Sequence, residues 1–315
     1  MELGALGWSD FFAEPFGPYR ADGLIPGRVA IQFNRSYRVY TEQGEISADS
    51  SGSLRHRAAR RAELPAVGDW VAVRLDPKGG TIEAVLPRKS ELSRKGTGRV
   101  LEQQVMAANV DTVFLVSGLD HEFSPRRVER YLAMAWESGA QPVVMLNKVD
   151  LVDDAGDRIR EVVAMAPDVP VHAISSTCDR GLEIVRSYLH HGRTTAFLGS
   201  SGVGKTTLIN HLLGEERFQT QEVSLIDSKG RHTTTTRQLT VLAQGGLVMD
   251  TPGMREFEHW EGERDESPTF ADIEKIEAQC RFSNCRHDGE PGCAVQRAVE
   301  EGLLEPARVK NYCKI

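Results

Sequence analysis

The chain has 315 residues, 40% hydrophobic and 26% charged, with a formal net charge of −7, which fits two or three ordinary globular domains with a real core. No stretch approaches the roughly 18 apolar residues of a membrane span. The start, MELGALGWSDFF, lacks the basic region and apolar run of a secretory signal. The expected setting is the cytoplasm, without a membrane partner, where the five cysteines read as thiols or metal ligands, not disulfides. The acidic balance alone argues against a nucleic-acid binder. Residues 28–95 nevertheless hold 13 Lys/Arg against 8 Asp/Glu, and a basic module on an acidic chain points to a polyanionic partner.

Residues 1–27 contain three prolines and five glycines without clear periodicity and read as an N-terminal extension. In residues 28–95 the pattern is five short strands, predicted over 28–33, 37–41, 45–48, 69–75 and 81–86, which suggests a small barrel of the OB type. The polar loop before the fourth strand carries Arg55-His56-Arg57-Ala58-Ala59-Arg60-Arg61. It suits a phosphate backbone, and equally a solvated surface. Residues 96–262 alternate strand and helix. Strands are predicted at 110–116, 142–146, 171–174, 195–198, 238–242 and 247–249. A helix begins at Ser124-Pro125, and others are marked by Ile159, Val162 and Val163, by Leu182, Val185 and Leu189, and by Leu208 and Leu212 before Gly214. This predicts a mostly parallel α/β sheet covered on both faces. Residues 263–315 are polar and helical, with a cysteine cluster.

Gly199-Ser200-Ser201-Gly202-Val203-Gly204-Lys205-Thr206 fits G-x-x-x-x-G-K-[ST] between a strand and a helix, as the phosphate loop of a nucleoside-triphosphate site requires. Glycines let backbone N–H groups approach phosphate oxygens, and the helix N-terminus adds partial positive charge. Lys205 would bridge the β- and γ-phosphates, and Thr206 would hold Mg²⁺. Asn147-Lys148-Val149-Asp150 follows a predicted buried strand. Asp150 can accept the two N–H groups of guanine N1 and N2, the Asn147 amide can reach the outer edge of the base, and the Lys148 stem can cover its face. Ser175-Ser176 closes the next strand, where a backbone N–H would meet guanine O6; such a pair is also a common strand-end turn.

Asp250-Thr251-Pro252-Gly253 offers Asp250 to Mg²⁺ through water and the Gly253 N–H to a γ-phosphate. The loop from Gly230 to Thr236, including Thr234, either closes over the metal as a switch or is a linker. Many GTPases orient the attacking water with Gln after D-x-x-G; Met254 cannot. Slow unassisted turnover is expected, with His232 either a water-positioning residue or an ordinary loop histidine. Cys280, Cys285, His287 and Cys293 give C-x₄-C-x-H-x₅-C, a closed structural Cys₃His zinc site. Cys178 falls outside this spacing and reads as a buried thiol.

These nucleotide motifs resemble those of Ras-like GTPases in an unusual order, since Asn147 and Ser175 precede Gly199. A circular permutation accounts for this. Barrel, permuted GTPase domain and cysteine tail together resemble the RsgA (YjeQ) family over about residues 28–312. The resemblance implies GTP hydrolysis to GDP stimulated by the small ribosomal subunit, a role in late maturation of that subunit, binding to its rRNA, and one zinc. It carries phosphate binding onto Gly199 to Thr207, including Thr207. The family's serine motif is more often Ser-Ala, and its last helix often runs well past the position of Tyr312. A monomer is expected. The alternatives are a P-loop ATPase or kinase, and a non-catalytic RNA-binding scaffold stabilised by nucleotide.

Overall fold

The computed structural model describes residues 1–33, 36–77, 79–95, 103–121, 123–214, 237–243, 245–250, 271–282, 285–287, 290–304, 306, 309 and 312. Residues 1–27, expected to be an extension without periodicity, contain helix α1 (Asp10–Ala21). Pro15 and Pro18 lie inside it, where a proline removes a donor and crowds the preceding turn. Packing outweighs that penalty. Leu6, Phe12 and Phe16 are buried, and Trp8 meets Trp70 edge-on with ring centroids 4.7 Å apart, a favoured aromatic geometry.

Strands β1 (Ile25–Gln32), β2 (Ser36–Thr41), β3 (Gly44–Ser50), β4 (Trp70–Asp76) and β5 (Gly79–Val85) follow the five predicted runs, with β1 starting three residues early. β1–β2, β2–β3, β4–β5 and β1–β4 are antiparallel, and β3–β5 is parallel. The pairing closes in the order 1-2-3-5-4-1, an OB-like barrel. Val29, Val39, Val71, Val73 and Ile82 fill its interior. The arginine-rich loop contains a short helix, α2 (Gly52–Arg57), capped by the Ser51 hydroxyl, which accepts from the Leu54 N–H.

An antiparallel ribbon, β6 (Glu91–Lys95) with β7 (Gln103–Ala108), lies across the expected boundary at 95/96. Then come β8 (Thr112–Gly118), α3 (Pro125–Ser138), β9 (Gln141–Asn147), α4 (Gly156–Met165), β10 (Val171–Ala173), α5 (Leu182–Ser187), β11 (Thr194–Leu198), α6 (Lys205–Leu213), β12 (Gln238–Val241) and β13 (Leu247–Asp250). The sheet order is β10-β9-β8-β11-β13-β12. Neighbouring strands are parallel from β10 to β13, and β12 alone runs antiparallel to its neighbour. β8 and β11 are buried throughout, as expected for a parallel sheet with both faces covered. The strand that leads into the glycine loop, β11, lies inside the sheet between β8 and β13, although the chain has already built three strands of it. β12 also pairs with β1 at Gln238 and Ile31, and the Tyr40 hydroxyl donates to the Leu239 carbonyl at 3.2 Å. Barrel and α/β sheet are thus continuous. The last described helices are α7 (Ala271–Glu277) and α8 (Ala294–Glu300).

At the junction lies Arg28, a buried guanidinium that donates to the carbonyls of Leu6, Gly68 and Asn109 and to the Thr194 hydroxyl. It therefore ties the N-terminal segment, the barrel, the residue after β7 and the start of β11. Burial, partly offset by Asp111 and Asp69, brings its pKa down to about 10, so it stays charged at neutral pH. Nearby, Arg88 holds buried Asp69 at 2.7 Å and Glu91 at 2.7 Å. Arg28 and Arg88 thus draw two cations of the basic module into structural roles. Replacing Arg28 by Met should leave several buried acceptors unpartnered and cost about 2–4 kcal/mol. A urea midpoint equal to wild type would contradict this.

Candidate nucleotide site and metal cluster

Three sequence-predicted loops converge at the carboxyl ends of parallel strands, the usual place for a ligand in an open α/β sheet. The loop after β11 is shaped by two glycines with positive φ that a side chain would not fit. A Cβ at Gly199 (φ 155°) would run into the Val116 carbonyl, and one at Gly204 (φ 96°) into the Asn147 amide. Ser201 and Gly202 are exposed, while Ser200 and Val203 are buried. Lys205 begins α6 and donates to the carbonyls of Gly199 and Ser200 at 2.6 and 2.7 Å, holding its ammonium against the loop. Thr206 and Thr207 lie half-buried in the first turn of α6.

The Asn147 side chain is fully buried. Nδ2 donates to the Val203 carbonyl at 2.7 Å and the Ser176 hydroxyl at 3.0 Å, and Oδ1 accepts the Ser176 N–H at 3.0 Å. One carboxamide therefore joins the ends of β9 and β10 to the glycine loop. Lys148 (φ 66°) turns the chain left-handed and pairs with Asp120 at 2.6 Å. Val149 is buried, and its N–H donates to the Ile174 carbonyl at 3.1 Å. Asp150 is exposed, its carboxylate accessible to a ligand. Ser175 and Ser176 are buried, and the Ser175 N–H donates to the Arg180 carbonyl at 2.9 Å. Both serine N–H groups are thus committed within the protein. Cys178, expected to be buried, is exposed, because the turn that engages Ser175 carries it outward.

Asp250 ends β13 beside Gln238 of β12; its side chain, together with Gly253, Met254, Gly230, His232, Thr234 and Thr236, lies outside the described residues.

The second cluster is Cys280, Cys285, His287 and Cys293, whose ligand atoms all lie within 4.8 Å of one another. His287 Nδ1 is 3.4 Å from Cys293 Sγ and 3.8 Å from Cys280 Sγ. A tetrahedral site with metal–sulfur bonds near 2.3 Å separates its ligands by about 3.8 Å, so the set fits one tetrahedral ion. Burial raises the Cys280 thiol, but the backbone N–H groups of Val295 and Ala294 together with hydrogen bonds from Cys293 and Cys285 outweigh it and bring it below its ordinary value. The His287 N–H favours the Cys285 thiolate, yet burial and the neighbouring Cys293 and Cys280 push that thiol up to about 12. The other ring nitrogen of His287 lies 3.3 Å from Glu277, which also accepts from the Tyr312 hydroxyl. No sequence pattern marks this outer carboxylate, which stands three residues before Cys280.

A glycine loop and helix on an inner strand, with the N-K-x-D and serine loops on strands that precede it in the chain, define a circularly permuted P-loop GTPase. The profile of the RsgA GTPase family matches residues 85–260. A small ribosomal subunit biogenesis GTPase RsgA from Opitutus terrae is 47% identical over the whole chain and 89% of its own length. Its namesake in Syntrophotalea carbinolica is 42% identical, again over the whole chain and 88% of its own length. The crystal structure of YjeQ from Thermotoga maritima is 30% identical and covers 92% of this chain and 96% of its own, with a TM-score of 0.67. YloQ, described as a circularly permuted GTPase, is 26% identical with a TM-score of 0.62 and covers 92% of each chain. The chain belongs to the RsgA GTPase family.

Two substitutions test this geometry. Gly204→Ala is expected to drive the Asn147 amide away and weaken GTP binding at least about tenfold; unchanged affinity by titration calorimetry would contradict it. Glu277→Gln should lower the affinity of the cysteine cluster for a divalent metal about 10–100-fold, and an unaltered metal dissociation constant would remove the outer carboxylate from the account.

Proposed function

We propose that the chain binds the small ribosomal subunit through its rRNA, assists late maturation of the particle, and couples GTP hydrolysis to its own release. The observation that carries this is the convergence of three nucleotide loops in permuted order, beside an OB-like barrel paired to β12. The names borne by the relatives supply the ribosomal part. In this reading Asp150 accepts guanine N1–H and N2–H, the Lys148 stem covers the base, and Asn147 fixes the frame. The N–H groups from Gly199 to Thr207 and the Lys205 ammonium receive the phosphates. Neither serine N–H is spare, so a donor to guanine O6 from Ser175 or Ser176 requires a bond exchange, most simply at Asn147 Oδ1. Thr206 and Asp250 would hold Mg²⁺, which supplies positive charge at the β- and γ-phosphate oxygens when bound with GTP. Thr234 and Gly253 complete the switch, and His232 orients water in place of the missing Gln at Met254.

The thiolate-rich Cys₃His set suits zinc in a purely structural role, since all four tetrahedral positions are taken by protein. The setting is the cytoplasm and the protein acts as a monomer; no described helix is long and apolar enough to cross a membrane.

Turnover of GTP alone should fall in the range of unassisted GTPases, roughly 10⁻⁴–10⁻² s⁻¹, and rise at least about tenfold with purified small ribosomal subunits. Equal rates with and without subunits would overturn the proposal. His232→Ala should lose most of the stimulation, whereas wild-type stimulation would remove His232 from the mechanism.

A further inference from the structure

The ion pair between Lys148 and Asp120 is not part of any motif recognised in the sequence. Asp120 lies two residues past the end of β8, whose final residue, Gly118, is in register with Asn147 across the parallel β8–β9 pair. The Leu119 N–H donates to the Asn147 carbonyl at 2.8 Å, so the two strand ends are stitched together just where Lys148 begins its left-handed turn.

The carboxylate sits on a built loop. The Phe123 N–H donates to the Asp120 carbonyl at 3.1 Å. Arg158 of α4 donates to the Leu119 carbonyl and lies over the Phe123 ring, 5.4 Å from its centroid. A Cβ at residue 118 would come within 2.8 Å of the Asp120 carboxylate, so glycine there leaves room for it. The result is a 2.6 Å contact between Asp120 Oδ2 and Lys148 Nζ, with both side chains mostly sheltered.

We propose that Asp120 is a positioning residue for the nucleotide base: it anchors the Lys148 ammonium so that the aliphatic stem is already extended along the face where the base packs. The inference rests on the guanine reading of the Asn147–Asp150 loop. A lysine without an anchor spreads over many rotamers and must be ordered when ligand binds. An anchored one has met that entropy before binding, which raises affinity without adding a contact to the ligand. The stem meets a π-face and no hydrogen-bonding edge of the base. Asp120 therefore sets how tightly a nucleotide is held, and Asp150 sets which one.

The test is a double-mutant cycle in the full chain. Asp120→Ala should weaken GTP and GDP binding by the same factor, about 3–10-fold, with the preference for GTP over ATP unchanged. In a Lys148→Ala background the same substitution should have no further effect. Asp120→Asn keeps the size of the side chain and should reproduce most of the loss, with a thermal midpoint near wild type. Wild-type affinity in the Asp120 variants, or an equal loss in both backgrounds, would overturn the proposal. Asp150→Ala separates the two failures. If it abolishes the preference for GTP while Asp120 is silent, the anchoring role alone is wrong; if the preference survives, the guanine reading fails first and the positioning role with it.

Discussion

Asn147 is shut off from water, so its carboxamide must find protein partners for both N–H donors and for its oxygen. It finds them on two other loops, at Val203 and Ser176. These loops come from separate strands. The glycine at 204 is the other half of this constraint, because any side chain there would occupy the place of the amide. The glycine loop and the Asn147–Asp150 loop are therefore joined into one unit.

The same principle, a buried polar group that must be satisfied by several distant segments, governs the junction of the modules. Arg28 gathers four acceptors from four parts of the chain, and β1 continues the α/β sheet through β12. β12 is joined along its length to β13, the strand that delivers Asp250. The barrel thus lies against the β12–β13 strand pair. Barrel strand β1 and β13 are connected through β12.

Much of the fold was legible because it is encoded locally. Alternating or buried runs gave the strands to within a few residues, and the glycine loop and the four metal ligands carry their chemistry in their spacing. What was hidden depends on partners far away in sequence. Residues 1–27 lack clear periodicity, and α1 is held there by the seating of Phe12 and Phe16 on the core. The β6–β7 ribbon pairs residues across a polar stretch without apolar periodicity. The N-K-x-D motif does not reveal that the Asn147 amide also meets Val203 and Ser176. Cys178 is exposed because a thiol's burial is decided by the turn around it. Asp120 and Glu277 act through Lys148 and His287, and a single sequence does not display such pairs.

Hydrogen exchange of the nucleotide-free protein tests the central constraint most directly. If Asn147 ties the loops into one unit, Asn147→Ala will raise exchange in peptides spanning 199–205 and 174–178 together, while the barrel strands keep wild-type protection. Faster exchange confined to 147–150, with the glycine loop protected as before, would show that the amide serves only its own loop and would contradict the account.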